Sequence, residues 1–158
     1  MQIAKLPALF GFVAASFCAA AIGGVATATS VTTWYRALNK PAWNPPDWLF
    51  GPVWTLLYLM MAVAAWRGWR RSEGSAARAT LGLFGAQLAL NALWSVLFFG
   101  LRQPGCAFAE VLLFWALLVV LLRRFWHADR TAGALWAPYV AWVSFASVLN
   151  GAVWWLNR

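Results

Sequence analysis

Acidic residues, histidine and cysteine are scarce in this sequence. Its 158 residues include four Asp and Glu, one histidine and two cysteines. Such a set lacks the paired carboxylates, His/Cys clusters and phosphate loops that conventional hydrolases, metal centres and nucleotide sites require. Cys18 and Cys106 have no metal-ligand spacing and are expected to pack as small residues. No metal site, required cofactor or conventional catalytic site is therefore predicted.

Charge of either sign is also rare, at 10% of the residues, whereas 63% are hydrophobic. This balance excludes an ordinary water-soluble domain. Five apolar stretches are each near the ~20 residues that a helix needs to cross a bilayer, and they do not alternate as barrel strands do. We predict an all-α integral membrane protein, one domain over residues 1–158 folded as a five-transmembrane-helix bundle. The predicted helices are about 6–28, 47–66, 80–100, 104–125 and 132–156.

The net charge of +8 lies between the apolar stretches, which favours contact with anionic membrane headgroups over nucleic acid. Eight basic residues fall on one side of the predicted bundle and four on the other, so the positive-inside rule places the N-terminus in the cytoplasm. The segment "RGWRRSEGSAAR" is expected to be a solvated turn. The first stretch is interpreted as a retained helix, with a cleavable signal peptide as the alternative.

Polar residues within the third stretch lie on one helical face: Gln87, Asn91, Trp94 and Ser95. Two carboxamides in lipid are costly without partners, so this face is expected to point into the bundle. It can act as interhelical glue or as the polar floor of a cavity. Small residues at Gly85 and Ala89 turn a different way, and they predict a homodimer contact through this helix.

The fifth and second stretches favour the cavity. Tyr139, Trp142, Ala146 and Asn150 fall on one stripe of the fifth, and Trp54 and Tyr58 lie four residues apart in the second. Large aromatic rings beside a small gap and a few amides are typical of pockets for small ligands. Packing of the bundle core is the alternative explanation for the same residues.

The predicted loop 29–46 is both aromatic and rich in proline. Trp34, Tyr35 and Trp43 lie in it, with Trp48 just beyond, and Pro45 and Pro46 stiffen its end. Aromatic rings alone would suit an interfacial belt, but a belt needs no prolines. We therefore expect a preorganised lid over the mouth of the bundle.

Four sequence blocks in order resemble the TspO/MBR family of tryptophan-rich sensory proteins and translocator proteins: "WYRALNKPAWNPP", "GPVWTLLY", "QLALNALWSVLFFG" and "PYVAWVSFASVLN". The resemblance implies a bacterial-type member in a bacterial membrane, a five-helix bundle, a homodimer and porphyrin binding. By motif match it assigns ligand contacts to Tyr35, Asn91 and Ala146, and a photochemical role to Trp54 and Trp142. The tail "GAVWWLNR" lacks the tyrosine of the animal sterol motif, which makes cholesterol a poor candidate.

The predicted ligand site combines both lines of reasoning: Tyr35, Trp43, Trp54, Tyr58, Asn91, Trp94, Trp142, Ala146 and Asn150. A porphyrin or similar flat hydrophobic ligand would stack on the indoles, with Arg36 and Lys40 near its propionates. Tetrapyrrole sensing or regulation, with light-dependent porphyrin degradation as its one credible chemistry, is the favoured function. The alternative is a transporter of porphyrin or sterol-like lipids, although paired intramembrane charges are absent from the sequence.

Overall fold

The computed structural model describes the backbone of residues 6–158 and the side chains from Pro7 onward. Within this range all regular structure is helical, and five helices are long and apolar enough to cross a membrane. The predicted all-α five-span membrane fold is thus confirmed. The helices are α1 Leu6–Ala28, α2 Trp34–Ala37, α3 Asp47–Arg70, α4 Gly74–Ser95 with a π-helical turn Val96–Gly100, α5 Pro104–Ala128 and α6 Arg130–Leu156.

The basic segment after α3 is more helical than predicted. Helix α3 continues to Arg70 and α4 begins at Gly74, so the expected solvated turn is only three residues long. Arginine and alanine are good helix formers, and arginines in the last turn of α3 also complement the helix dipole. Long arginine side chains can keep their charged ends in water while their stems follow an apolar helix. Hydropathy alone therefore ends these helices too early.

Helix α1 is an integral part of the bundle. Its Phe12 ring lies 5.2 Å from the Phe84 ring of α4 and 5.9 Å from the Trp69 ring of α3. Gly23 is buried against Ser95, whose hydroxyl would lie 3.0 Å from an added Cβ. These contacts join α1 to α3 and α4. The cysteines differ from the expectation, because both are exposed on the bundle surface rather than packed inside.

The end of the third span widens into the π-helical turn. The Leu101 N–H donates to the Val96 carbonyl at 2.8 Å, and the Ser30 hydroxyl donates to the Phe99 carbonyl at 2.7 Å. The hydroxyl thus satisfies a carbonyl near the helix end that would otherwise lack a partner. The turn directs Phe98 and Phe99 towards Tyr35, with ring centroids 6.1 and 5.4 Å away.

A compact ion cluster closes the opposite end of the bundle. Asp129 accepts two hydrogen bonds from Arg67 Nη2, at 2.9 and 3.3 Å, and one from the Ala132 N–H at 3.1 Å, which caps α6. Arg71 Nε lies 3.6 Å from the same carboxylate. Burial alone would raise the Asp129 pKa, but the hydrogen bonds from Ala132 and Arg67 outweigh it and hold the pKa below its usual value.

Candidate ligand-binding cavity

A cavity of about 460 Å³ lies inside the bundle at the end that carries loop 29–46. It falls within the usual size of small-molecule sites. Side chains from all five spanning helices and from the loop line it, and its surface is predominantly apolar and aromatic. Four lining residues are exposed and mark the mouth, which lies between α1 and the start of α3: Gly24, Ala28, Asp47 and Gly51.

Eight of the nine predicted ligand residues line this cavity. They are Tyr35, Trp54, Tyr58, Asn91, Trp94, Trp142, Ala146 and Asn150. Trp43 is the exception, because it is 48% exposed and packs edge-on against the outer side of Phe145 with centroids 5.9 Å apart. The structure therefore does not place Trp43 in the cavity wall.

A buried hydrogen-bond network forms the floor. Asn91 of α4 accepts from the Tyr58 hydroxyl of α3 and donates to the Tyr139 hydroxyl of α6 at 3.0 Å. Tyr139 in turn donates to Gln87 Oε1 at 3.0 Å. The polar face predicted from the sequence thus points inward and joins three helices. The same residues serve both predicted roles, because Tyr58 and Asn91 hydrogen-bond between helices and also line the cavity.

A second polar bridge stands in the cavity wall. Trp94 Nε1 donates to Asn150 Oδ1 at 2.9 Å, and Asn150 Nδ2 donates to the Pro104 carbonyl at 2.8 Å. Pro104 opens α5 at the first helical turn, as the sequence predicted. The bridge fixes the Trp94 indole, which is stacked on Phe98 with centroids 5.3 Å apart. Both amides at the cavity are therefore committed to protein partners.

Trp54 of α3 and Trp142 of α6 both line the cavity. Trp54 packs against the Tyr58 and Tyr139 rings at 5.6 and 6.2 Å, while Trp142 meets Phe50 edge-on at 6.0 Å. Trp142 Nε1 is buried and has no hydrogen-bond partner among the described residues. Indole nitrogens usually find an acceptor when buried, so this one marks an unsatisfied donor at the cavity wall.

The loop covers the mouth through one buried residue. Tyr35 is 6% exposed, and its hydroxyl donates to Asn44 Oδ1 at 3.2 Å, which ties helix α2 to the proline-rich end of the loop. Burial, reinforced by the charge of Asp47, raises the Tyr35 pKa, so its hydroxyl stays protonated at neutral pH. The outward-facing ring of Trp48 is 72% exposed. Loop and helix start therefore combine a lid with an interfacial belt.

Charges around the mouth differ from the expectation. Lys40 Nζ lies 4.7 Å from the Tyr35 ring centroid and donates to the Arg36 and Leu38 carbonyls, whereas Arg36 is exposed. Neither basic side chain lines the cavity, but the carboxylate residue Asp47 does. Lys40 is thus the nearer candidate for an anionic ligand edge, and Asp47 opposes one at the mouth.

The sequence reasoning missed the wall that α1 contributes. Ala20, Gly23 and Thr27 line the cavity from this helix, together with Phe50 of α3 and Phe99 of the π-helical turn. Small residues carry no aromatic or polar signal that would mark them as cavity residues. Glu110 of α5 is buried, and neither of its carboxylate oxygens has a hydrogen-bond partner among the described residues.

The fold and cavity define a class: a membrane-spanning helical bundle with an aromatic chamber near one end. Residues 12–156 match the TspO/MBR family. The chain is 40% identical over 139 residues to Tryptophan-rich protein TspO of Chlorobaculum tepidum, covering 85% of this chain and 86% of that relative. It is 42% identical over 117 residues to a Tryptophan-rich sensory protein of Cereibacter sphaeroides, covering 74% and 72%. The human Translocator protein is 39% identical over 123 residues, covering 77% and 73%.

The chain therefore belongs to the TspO/MBR family. It is an integral membrane protein, with five spanning helices in its described part. No group of three or more His, Cys, Asp or Glu among the described residues could hold a metal ion.

Proposed function

We propose that this protein binds a porphyrin-type tetrapyrrole in the cavity and acts in tetrapyrrole sensing or regulation. The cavity offers aromatic faces on three helices, through Trp54, Trp94 and Trp142, and stacking on such faces suits a large flat ring. Relatives named as tryptophan-rich sensory proteins agree with a sensing role. The principal support is the coincidence of this aromatic chamber with the eight predicted ligand residues.

The polar chemistry of the cavity favours an apolar ligand with few hydrogen-bonding groups. Asn91 and Asn150 already have protein partners. The unpaired Trp142 Nε1 remains, and a small rotation of its ring would let it donate to a carboxylate or carbonyl of the ligand. The propionates of a porphyrin would lie near the mouth, where Lys40 is the closest basic side chain that the loop supplies.

Light-dependent breakdown of the bound porphyrin fits the same cavity. Trp54 and Trp142 would lie against a bound ring, and indole is the most readily oxidised aromatic side chain. An illuminated porphyrin in the presence of oxygen therefore has two electron donors within contact. This chemistry needs no general base, which agrees with the absence of a catalytic cluster from the sequence.

Transport through the bundle has less support. At and below the cavity floor, Tyr139, Trp136 and Met61 are fully buried and fill the space between the helices. A ligand would have to displace these side chains to reach the other end. Binding and exchange at the loop end are the simpler function for this architecture.

Trp142→Phe tests the proposal. Trp155→Phe is a matched control, because Trp155 lies on the same helix and is 64% exposed. Protoporphyrin binding is measured by quenching of intrinsic fluorescence, and bleaching is followed with and without light and oxygen. We expect Trp142→Phe to change both binding and bleaching, while the control behaves like the wild type. If the two variants behave alike, Trp142 is not part of the ligand site. If the wild type shows no saturable protoporphyrin binding, the proposed function is wrong.

We also propose a homodimer through the outer face of α4. Gly85 and Ala89 are exposed there, and no atom lies within 4 Å of an added Cβ at Gly85. Gln87 and Asn91 point the opposite way, so the two faces are independent. Replacing Gly85 and Ala89 with Leu should give monomers in detergent-corrected light scattering while porphyrin binding survives. A dimer that persists in this variant would exclude the interface.

A further inference from the structure

The end of the bundle remote from the cavity holds a second, much shallower cleft. It lies between the end of α3, the start of α4 and the end of α5, and its volume is about 300 Å³. The distance from Asp47 to Gly68 along α3 places it roughly 30 Å from the cavity mouth at the usual rise per residue. Its lining residues are Gly68, Ser72, Ala76, Thr80, Arg124, Phe125, His127 and Ala128.

Arg124 gives the cleft an unpaired positive group. Its Nη2 donates to the Ala76 carbonyl at a long 3.4 Å, and its Nε is buried with no hydrogen-bond partner among the described residues. No carboxylate among the described residues forms an ion pair with it, because Asp129 is occupied by Arg67 and Arg71. A buried guanidinium N–H without an acceptor is costly, and an anionic acceptor would supply the missing hydrogen bond.

The surroundings favour an anion on the membrane surface. Seven arginines and only two acidic residues lie in segments 67–78 and 123–130, which flank the cleft. The cleft is at the helix ends, where phospholipid headgroups lie beside a spanning bundle. Apolar groups of Gly68 and Phe125 line its floor, and a Cβ added at Gly68 would overlap the Phe125 ring. An apolar floor under a cationic rim suits a glycerol backbone with a phosphate above it.

We propose that this cleft binds the phosphate headgroup of one anionic phospholipid, with Arg124 as its principal ligand and His127 at its open edge. The site is separate from the tetrapyrrole cavity and does not depend on the function proposed for it. Arg124 Nε and a second guanidinium N–H would make the paired contact with phosphate oxygens that arginine favours. The exposed His127 ring can add a third hydrogen bond.

The chain supplies two matched pairs of variants. Arg124→Gln removes the proposed phosphate ligand, whereas Arg123→Gln removes the same charge from the exposed neighbour that does not line the cleft. Ala76→Leu fills the cleft without changing the charge, and Ala79→Leu adds the same volume at an exposed position outside it. The second pair keeps the test valid if Arg124→Gln fails to fold.

The measurement is native mass spectrometry of the full chain titrated with phosphatidylglycerol or phosphatidylcholine. The wild type is expected to retain one phosphatidylglycerol in preference to phosphatidylcholine. Arg124→Gln should weaken this binding roughly five-fold or more, by the usual strength of a basic residue at an anionic surface. Ala76→Leu should also weaken it, because the added side chain occupies the cleft. Arg123→Gln and Ala79→Leu should retain it.

Three results would overturn the proposal. Equal losses in Arg124→Gln and Arg123→Gln would indicate diffuse attraction of anionic lipid to the arginines. Unchanged retention in Ala76→Leu would place the lipid elsewhere. Displacement of phosphatidylglycerol by millimolar inorganic phosphate would make a soluble phosphate, and not a lipid, the occupant.

Discussion

Two tryptophans six residues apart on α6 have opposite surroundings. Trp136 is fully buried, its Nε1 donates to the Leu118 carbonyl at 3.1 Å, and its ring packs against Phe125 at 4.9 Å. Trp142 lines the cavity, and its Nε1 has no partner. The same residue type therefore fills space in the lower half of the bundle, towards the Asp129 ion cluster, and encloses space in the upper half, which holds the cavity. The neighbours make the difference, because small residues such as Gly23 and Ala146 line the cavity together with Trp142.

The largest expected effect comes from filling the upper half so that it resembles the lower. Ala146→Phe adds a ring to the cavity wall, and overpacking of this kind displaces neighbours or excludes the ligand. We expect protoporphyrin affinity to fall at least ten-fold in fluorescence titrations. Val148→Phe is the control, since Val148 is 63% exposed on the outside of the same helix. Unchanged affinity in Ala146→Phe would move the ligand site out of the upper half.

The boundary between the halves is the network around Asn91. Asn91→Leu leaves the buried Tyr58 hydroxyl without its acceptor, which costs about 1–3 kcal/mol of unfolding free energy for an unsatisfied polar group. Adding Tyr58→Phe to Asn91→Leu should partly restore stability, because the double variant no longer has the unsatisfied Tyr58 hydroxyl. Unfolding in mixed micelles followed by circular dichroism gives the four free energies of this cycle. Additive losses would mean that the two residues do not stabilise the boundary together.

A smaller effect is expected from loosening the cover of the upper half. Replacing Pro45 and Pro46 with Ala frees the backbone beside Asn44, which holds the Tyr35 hydroxyl. The ligand should dissociate several-fold faster while its association rate and the helix content change little, because ordering the loop now costs entropy. Stopped-flow measurements resolve the two rates. An unchanged dissociation rate would reduce the loop to an interfacial belt.

The smallest effect concerns the ion cluster of the lower half. The Asp129 pKa is lower in the folded protein than in the unfolded chain, so its stabilising contribution is present above the unfolded value. The contribution is lost as pH falls through the folded value, below about pH 4. Asp129→Asn should lower the melting temperature by a few degrees at pH 7 and make it less sensitive to acid. Glu73→Gln, at an exposed residue, is the control, and parallel pH profiles for wild type and Asp129→Asn would contradict the assignment.

The sequence predicted the number and type of the membrane spans well because length and hydropathy identify them, although hydropathy misplaced the end of α3 and the start of α4 by several residues. It predicted the aromatic and amide walls of the cavity because Tyr58, Asn91 and Trp142 stand out in an apolar background. It could not predict the α1 wall, since Gly23 and Ala20 look the same whether they face a ligand, a helix or lipid. Nor could it separate Trp43 from the cavity residues, because side-chain direction in a loop depends on contacts such as that with Phe145.

The hydrogen bonds between Asn39 and Asn157 divide the long loop into two shorter ones. The Asn39 N–H donates to Asn157 Oδ1 at 2.9 Å, and Asn157 Nδ2 donates to the Asn39 carbonyl at 2.8 Å. A loop pinned near its midpoint has about half the free chain length in each part. The entropic cost of closing a loop falls by roughly 0.6 kcal/mol for each halving of its length. The hydrogen bond from Tyr35 to Asn44 still ties the two parts to each other. Residues 36–46 do not line the cavity, whereas Tyr35 of helix α2 does. The pinned Asn39 therefore joins the helix that covers the mouth to the C-terminal end of α6.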